Sequence, residues 1–479
     1  MARLLCFASL VCGLTACAPG DAGPEPTAAL HPCTVKGTTR AARCAEIVRP
    51  LDPARPEGPQ VTLRVALLPA SKAARRNPLY FFAGGPGQGA VEAFAPLLSG
   101  YDELGRDRDF VLVDQRGTGE SAPLRCKPEG EPSLAERLDP TLDPSLLQQC
   151  LAGYDVDPRY FTTTIAAEDL DAVRAALGHG RIDLIGGSYG TRAALVYARA
   201  HPQHVGRIVI DGVAPVDMAL PASFAHDGQA ALDGVLSACE ADPGCAERFP
   251  DQRRRLRAWL DGLARAPATI ELPDPRTAAP TRVTVYRDSV AHAIRGLLYA
   301  PQLQALLPLT LERAMAGDYG PLVAQAVAFG DSVGDSMAQG MFLSVVCAED
   351  VPFATAKPTE PDTFLGDAFV ALLRDACAQW PRAALEPGYR DPIVLEHPTL
   401  VLSGALDPVT PPRWGEHVLR GLSAGRHVVV PGAGHGTISD PCVAGLVHAF
   451  LDGDDGFDDA CVQQSVRPPF VLDLAGPPA

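Results

Sequence analysis

The apolar pattern changes period twice along the chain. Val61 to Leu68 alternates apolar and polar residues, as a strand with one exposed face would. Leu79-Tyr80-Phe81-Phe82 and Phe110-Val111-Leu112-Val113 are short continuous apolar runs, which predict strands buried on both faces. Between 166 and 177, Leu170, Val173, Ala176 and Leu177 repeat at helical spacing. Then come the run Ile182-Asp183-Leu184-Ile185, a helical stretch from Thr191 to Arg199, and Ile208-Val209-Ile210. Strands alternating with helices predict an α/β fold with a mostly parallel sheet. After Pro215 the rhythm breaks. Helical patterns cover Ala230 to Cys239, Leu256 to Leu263, Val290 to Leu298, Leu303 to Ala316 and Phe369 to Trp380, with one hairpin predicted from Thr269–Leu272 and Val283–Tyr286. Thr399–Leu402 and His427–Val430 then return as buried strands. A helical block inserted between strands of one sheet predicts a cap over its edge.

Composition narrows the class only slightly. The 479 residues are 47% hydrophobic and 20% charged, ample for a large core. With 41 basic against 57 acidic residues the net charge is −16, and no cluster of Lys or Arg offers a nucleic-acid footprint. The run Arg253-Arg254-Arg255 reads as a solvated helix face. Neither a cofactor nor a metal is expected, since no cysteine pair is spaced with histidines as a zinc site requires.

The first residues change the compartment. Arg3 precedes an apolar stretch, Leu4 to Leu14, too short to span a membrane as a mature helix. It ends in Leu14-Thr15-Ala16-Cys17, which resembles a bacterial lipobox. That resemblance implies a signal peptide over 1–16, a lipid on Cys17 and a tether over 17–42. A plain secretory signal with Cys17 incidental is the alternative; either implies export, with the lipid as the only membrane contact. Of 13 cysteines, Cys6 and Cys12 lie in the signal and Cys17 is the expected anchor. The ten others suit an oxidising compartment. Connectivity cannot be read from sequence, but neighbour pairing would join Cys33 to Cys44, Cys126 to Cys150, Cys239 to Cys245, Cys347 to Cys377 and Cys442 to Cys461.

The chemistry concentrates at Gly186-Gly187-Ser188-Tyr189-Gly190, between a predicted strand and a predicted helix. A Gly-x-Ser-x-Gly turn in that context is a nucleophile elbow: a strained turn lifts the hydroxyl clear of the sheet, and glycines let strand and helix pass closely. A serine needs a base, and the base an orienting acid. Asp407 and His435 both lie just past predicted strand ends, and Asp440 is a weaker rival acid. Two N–H donors are needed for an oxyanion. Tyr189, following the nucleophile, is one candidate. Gly85, with Gly84 in reserve, is the other, in Ala83-Gly84-Gly85-Pro86-Gly87-Gln88-Gly89.

That loop, the run Asp114-Gln115-Arg116-Gly117-Thr118-Gly119-Glu120-Ser121, the elbow, and the Asp407 and His435 segments together resemble the tripeptidyl aminopeptidase and prolyl iminopeptidase branch of the α/β-hydrolases. The resemblance spans about Val61 to Phe450 and is weak through the cap. Ala83 stands where iminopeptidases usually have His, which is closer to the secreted tripeptidyl aminopeptidases; so is Ser344-Val345-Val346-Cys347-Ala348-Glu349-Asp350. It implies an α/β-hydrolase core in two parts, 43–215 and 391–479, around a helical cap over 216–390. It implies cleavage of peptides from the amino terminus, with Arg116 as a structural brace and Glu349 and Asp350 as candidates to hold the substrate ammonium. A carboxylesterase or lipase would use the same triad, and a non-catalytic envelope binding protein on this scaffold is a reading of another class.

Overall fold

The computed structural model describes residues 24–126, 130–141, 143–354 and 362–474. The expected signal peptide and the expected lipid site Cys17 lie outside them. A nine-stranded sheet forms the centre, in the order β1-β2-β3-β5-β4-β6-β7-β10-β11. Its strands are β1 (His31–Cys33), β2 (Ala42–Pro50), β3 (Gln60–Leu68), β4 (Leu79–Phe82), β5 (Phe110–Val113), β6 (Ile182–Gly187), β7 (Val205–Asp211), β10 (Thr399–Gly404) and β11 (Gly425–Val430), while β8 (Ala268–Pro273) and β9 (Pro280–Val285) make a separate hairpin. β5, β4, β6, β7, β10 and β11 run parallel; β1 to β3 join antiparallel at one edge. The continuous apolar runs are the interior strands. Tyr80 and Val111 face one side of the sheet with Leu184, Ile208 and Val401, while Leu79, Phe110, Ile185, Val209 and Leu400 face the other. Period-two alternation puts successive side chains into two separate cores, so these strands have no polar face to show.

Between β7 and β10 the chain leaves the sheet for helices Leu220–Ala241, Gln252–Arg265, Arg287–Leu297, Pro301–Met315, Gly320–Ser336, Gln339–Glu349 and Ala368–Gln379, with the β8–β9 hairpin among them. These share a third core around Leu236, Ile294, Leu307 and Val346. Two boundaries differ from the sequence reading. Leu134, Leu138 and Leu147, on two short helices before the elbow, pack into this third core, as does Phe470 near the end of the chain. The tether expected up to residue 42 is also too long. Thr27 and Ala28 donate to Ala176 O, and His31–Cys33 pairs with Ala42–Cys44, so the sheet begins well inside that stretch. Disulfides join Cys33–Cys44, Cys126–Cys150, Cys239–Cys245, Cys347–Cys377 and Cys442–Cys461. Among the described residues, no helix is long and apolar enough to cross a membrane.

Candidate active site

Ser188 stands between β6 and the helix Tyr189–Ala200 with φ 55° and ψ −125°. A non-glycine residue at such angles is strained and is held there by its surroundings. Its N–H donates to Asp211 O at the end of β7 (2.9 Å). The flanking glycines are obligatory. A Cβ on Gly190 would lie 2.0 Å from Phe82 O, and one on Gly186 would lie 2.5 Å from Gly190 O. Helix and strands therefore touch backbone to backbone, and the serine is lifted out of the sheet. Tyr189 opens the helix, where N–H groups have no intrahelical acceptor and the dipole favours negative charge.

Past β11, His435 Nδ1 meets Asp407 Oδ2 at 2.8 Å. Asp407 is fully enclosed, and the His435 side chain keeps 16% of its surface. Asp407 Oδ1 accepts the N–H groups of Val409 (2.8 Å) and Thr410 (2.9 Å), and Thr410 Oγ1 donates to Oδ2 (2.7 Å). Burial would raise the Asp407 carboxyl, but His435 and these donors outweigh it and hold it below the usual range. Burial would likewise push the imidazole down; the Asp407 charge and hydrogen bond prevail and the net shift is upward. With Nδ1 committed to Asp407, Nε2 is the nitrogen left for proton transfer. Asp440, the rival acid, instead caps the helix Pro441–Leu451 by accepting Cys442 N–H (2.8 Å).

Three residues that the sequence reading did not single out hold this arrangement. Asp211 joins its two halves: its carbonyl takes the Ser188 N–H, and its carboxylate takes Thr437 N–H (2.6 Å) and Ile438 N–H (3.0 Å) just beyond His435. A Cβ on Gly212, the next residue, would lie 3.4 Å from His435 Cε1. Serine and histidine are thus tied to adjacent residues at one strand end. Thr410 is the second residue. Tyr299, from the cap, is the third: its carbonyl accepts His435 N–H (3.0 Å) and its ring meets the imidazole edge-on, centroids 5.2 Å apart. Only the Pro-rich and Gly-rich turns after β7 and β11 hinted at such packing.

On the other side of the serine lies the loop after β4. A Cβ on Gly84 would stand 3.1 Å from Ser188 Cβ, so Gly84 is the loop residue against the nucleophile; Gly85 follows in the same tight turn with φ 109°. The cap rests on this loop. Ala338 N–H donates to Gly87 O (2.9 Å), and Gln88 bridges to Met337. Arg116, from the run that follows β5, is buried and grips Asp169 with Nε (2.6 Å) and Nη2 (2.8 Å) while donating to the carbonyls of Leu51 and Tyr160. It braces loops and reaches no reacting group.

Glu349 and Asp350 require a correction. Both are fully buried at the end of the helix Gln339–Glu349 and cannot meet a substrate ammonium. Asp350 takes Arg192 Nη1 (3.1 Å) and Nη2 (3.0 Å) and Leu220 N–H (3.1 Å). Glu349 accepts Thr163 N–H (2.8 Å), Thr163 Oγ1 (2.8 Å) and the Tyr389 hydroxyl. Arg192 lies one turn into the elbow helix, so the pair clamps the cap onto the helix that carries the nucleophile. Among the described residues one group has metal-ligand spacing, Asp171 with His201 and His204; it lies at the far end of the elbow helix and takes no part in the site.

Comparison with known proteins agrees with this geometry. The profile of the alpha/beta hydrolase fold family matches residues 77–440. A tripeptidyl aminopeptidase of Streptomyces coelicolor is 25% identical, over 89% of this chain and 84% of its own length. A carboxylesterase B of Mycobacterium tuberculosis is 30% identical, covering 86% of this chain and 85% of its own. From the same organism, the serine protease Hip1 is 26% identical over 86% and 85%.

Proposed function

The chain belongs to the α/β-hydrolase fold family and is a serine hydrolase, and from that premise we propose that it is an exported aminopeptidase. The observation that carries the reading is the convergence on one strand end of the strained Ser188 and the His435–Asp407 pair, through Asp211 and Gly212. Ser188 Oγ attacks the carbonyl carbon of the scissile amide as His435 Nε2 takes its proton. Asp407 holds the imidazole in the required tautomer and stabilises the cation that forms. The N–H groups of Tyr189 and Gly85 receive the oxyanion, where donors fixed in advance are worth most. His435 then gives the proton to the departing amine nitrogen, the C–N bond breaks, and the amino-terminal fragment remains as an ester on Ser188. Water enters, His435 takes its proton, and the reverse sequence frees the fragment as an acid.

Two observations favour chain ends over internal bonds. The cap touches the site at two places, Met337–Ala338 on the Gly85–Gln88 loop and Tyr299 on His435, which narrows the approach. One relative is named a tripeptidyl aminopeptidase, while the name serine protease of another speaks for peptide cleavage without saying where. The test is a matched set of peptides with free and acetylated amino termini, beside simple acyl esters. Faster cleavage of the free peptides supports the reading. Equal rates on both peptide forms would move it to an esterase or endopeptidase, and turnover of esters alone to the carboxylesterase that the 30% identical relative suggests. Export fits five disulfides. Anchoring through Cys17 is checked by Cys17→Ser, which should leave the membrane fraction or remain unprocessed.

A further inference from the structure

Arg295 is an unusual cation. It sits on the cap helix Arg287–Leu297, one turn before Tyr299. Its guanidinium lies over the rings of Phe224 (4.3 Å), Tyr299 (5.3 Å) and Phe369 (5.3 Å). Nη2 donates to the Tyr299 hydroxyl (2.8 Å), while Nε is buried with no hydrogen-bond partner. Among the described residues no carboxylate lies within ion-pair distance of it, whereas Arg116 and Arg192, which unlike it are fully buried, each have one. A half-buried guanidinium among aromatic rings, with no anion beside it, keeps its charge and N–H donors for a partner. Its position says which part of a substrate that partner belongs to. Tyr299 stands between Arg295 and His435, bonded to the first through its hydroxyl and packed on the second through its ring and carbonyl. The base is also the group that protonates the departing amine, so the fragment on that side of the cut is the leaving fragment.

We propose that Arg295 receives a carboxylate on the leaving fragment, so that the substrates are short peptides whose departing portion carries its anion close to the cut. This rests on the aminopeptidase reading above and adds the substrate class to it. Two sources supply that carboxylate: the free carboxyl terminus of a departing single residue, or an acidic side chain at that position. Nη1, which Tyr299 does not hold, can donate to either, and both carry the negative charge that Arg295 lacks as a partner in the free enzyme. On this account recognition reads the departing end as well as the amino terminus, and favours peptides only slightly longer than the fragment released.

The experiment uses the full chain and four tetrapeptides that share three residues. They end in Ala with a free carboxyl, in Ala amide, in Asp amide and in Asn amide. The ratio of kcat/KM within each pair is read on one preparation, so any loss of folded protein cancels. Ala acid should exceed Ala amide by about ten- to a hundredfold if the terminus is the source, and Asp amide should exceed Asn amide by as much if the side chain is; a charge-assisted hydrogen bond sets that scale. Arg295→Met should bring the favoured ratio towards one, and Arg295→Lys should keep part of it because the charge remains. Ratios near one in both pairs for the parent enzyme overturn the proposal while leaving the aminopeptidase reading intact. A ratio that survives Arg295→Met overturns it too. Failure to cleave any of the four beside brisk ester hydrolysis overturns the aminopeptidase reading and this inference together.

Discussion

Removing the Asp350 carboxylate is the perturbation whose cost the structure fixes best. Asp350→Ala deletes two hydrogen bonds to Arg192, at 3.1 and 3.0 Å, and one from Leu220 N–H at 3.1 Å. Both side chains are wholly buried, so no water replaces them. Breaking such a pair from one side leaves an uncompensated charge and costs about 3–5 kcal/mol. Glu349, whose carboxylate lies 3.6 Å from Arg192 Nη1, takes up part of the charge and argues for the lower end. About 3 kcal/mol is a large share of the roughly 5–15 kcal/mol that a folded protein holds in reserve. Urea unfolding followed by tryptophan fluorescence should show a lower midpoint with an unchanged slope. Replacing both partners and the second acid, Arg192→Met with Asp350→Leu and Glu349→Gln, should recover part of the loss, because the buried charges then leave together. The preference for free over acetylated amino termini should persist in the folded fraction of Asp350→Ala. A cost below about 1 kcal/mol, a triple variant weaker than the single one, or a lost preference would each refute the clamp.

Four further outcomes are expected. Burial raises the Glu349 carboxyl above its ordinary value of 4.5, against the pull of Arg192 and its hydrogen-bond donors. A group raised in the folded state stabilises below its unfolded value and loses that contribution as pH climbs through the folded one. Glu349→Gln, which does not ionise, should therefore gain on the parent in stability as pH rises from about 4 to 8, and a difference independent of pH would contradict this. The upward shift of His435 places the acid limb of kcat/KM above about 6.5, and Asp407→Asn should lower kcat by about ten-thousandfold; a limb well below 6 would contradict the pairing. The Cys347–Cys377 disulfide spans 30 residues. Replacing both cysteines with Ala should cost about 3.6 kcal/mol by loop entropy, as urea unfolding would show.

Local signals made the sheet and the elbow legible. Leu79–Phe82, Phe110–Val113 and Thr399–Leu402 are buried on both faces, and short uninterrupted apolar runs have that one reading when turns bound them. Ser188 was legible because its strained backbone demands glycines in fixed places, and Asp407 and His435 because they follow such strands directly. The helix Gln339–Glu349 was not, since its residues from Gly340 to Glu349 are almost all buried and no polar face marks a period. β2 escaped too: its mixed charged and apolar residues lack a clean alternation, although its partners β1 and β3 are its neighbours in sequence. Acidic identity suggested that Glu349 and Asp350 face a ligand. Their partners lie far off in sequence, Arg192 by 158 residues and Thr163 by 186, and only the folded chain shows the charges already satisfied. Asp211 was hidden for the same reason. Its two roles, towards Ser188 and towards the turn after His435, exist only once β7 lies beside β6.

Ser188 as the nucleophile is the central claim, and covalent labelling tests it most directly. The folded protein, treated with a fluorophosphonate and analysed by intact mass and peptide mapping, should carry one adduct, on Ser188. Ser188→Ala should take up none while keeping its circular dichroism, and His435→Ala should label far more slowly. A folded parent that resists the reagent, or an adduct on a different serine, would contradict the account.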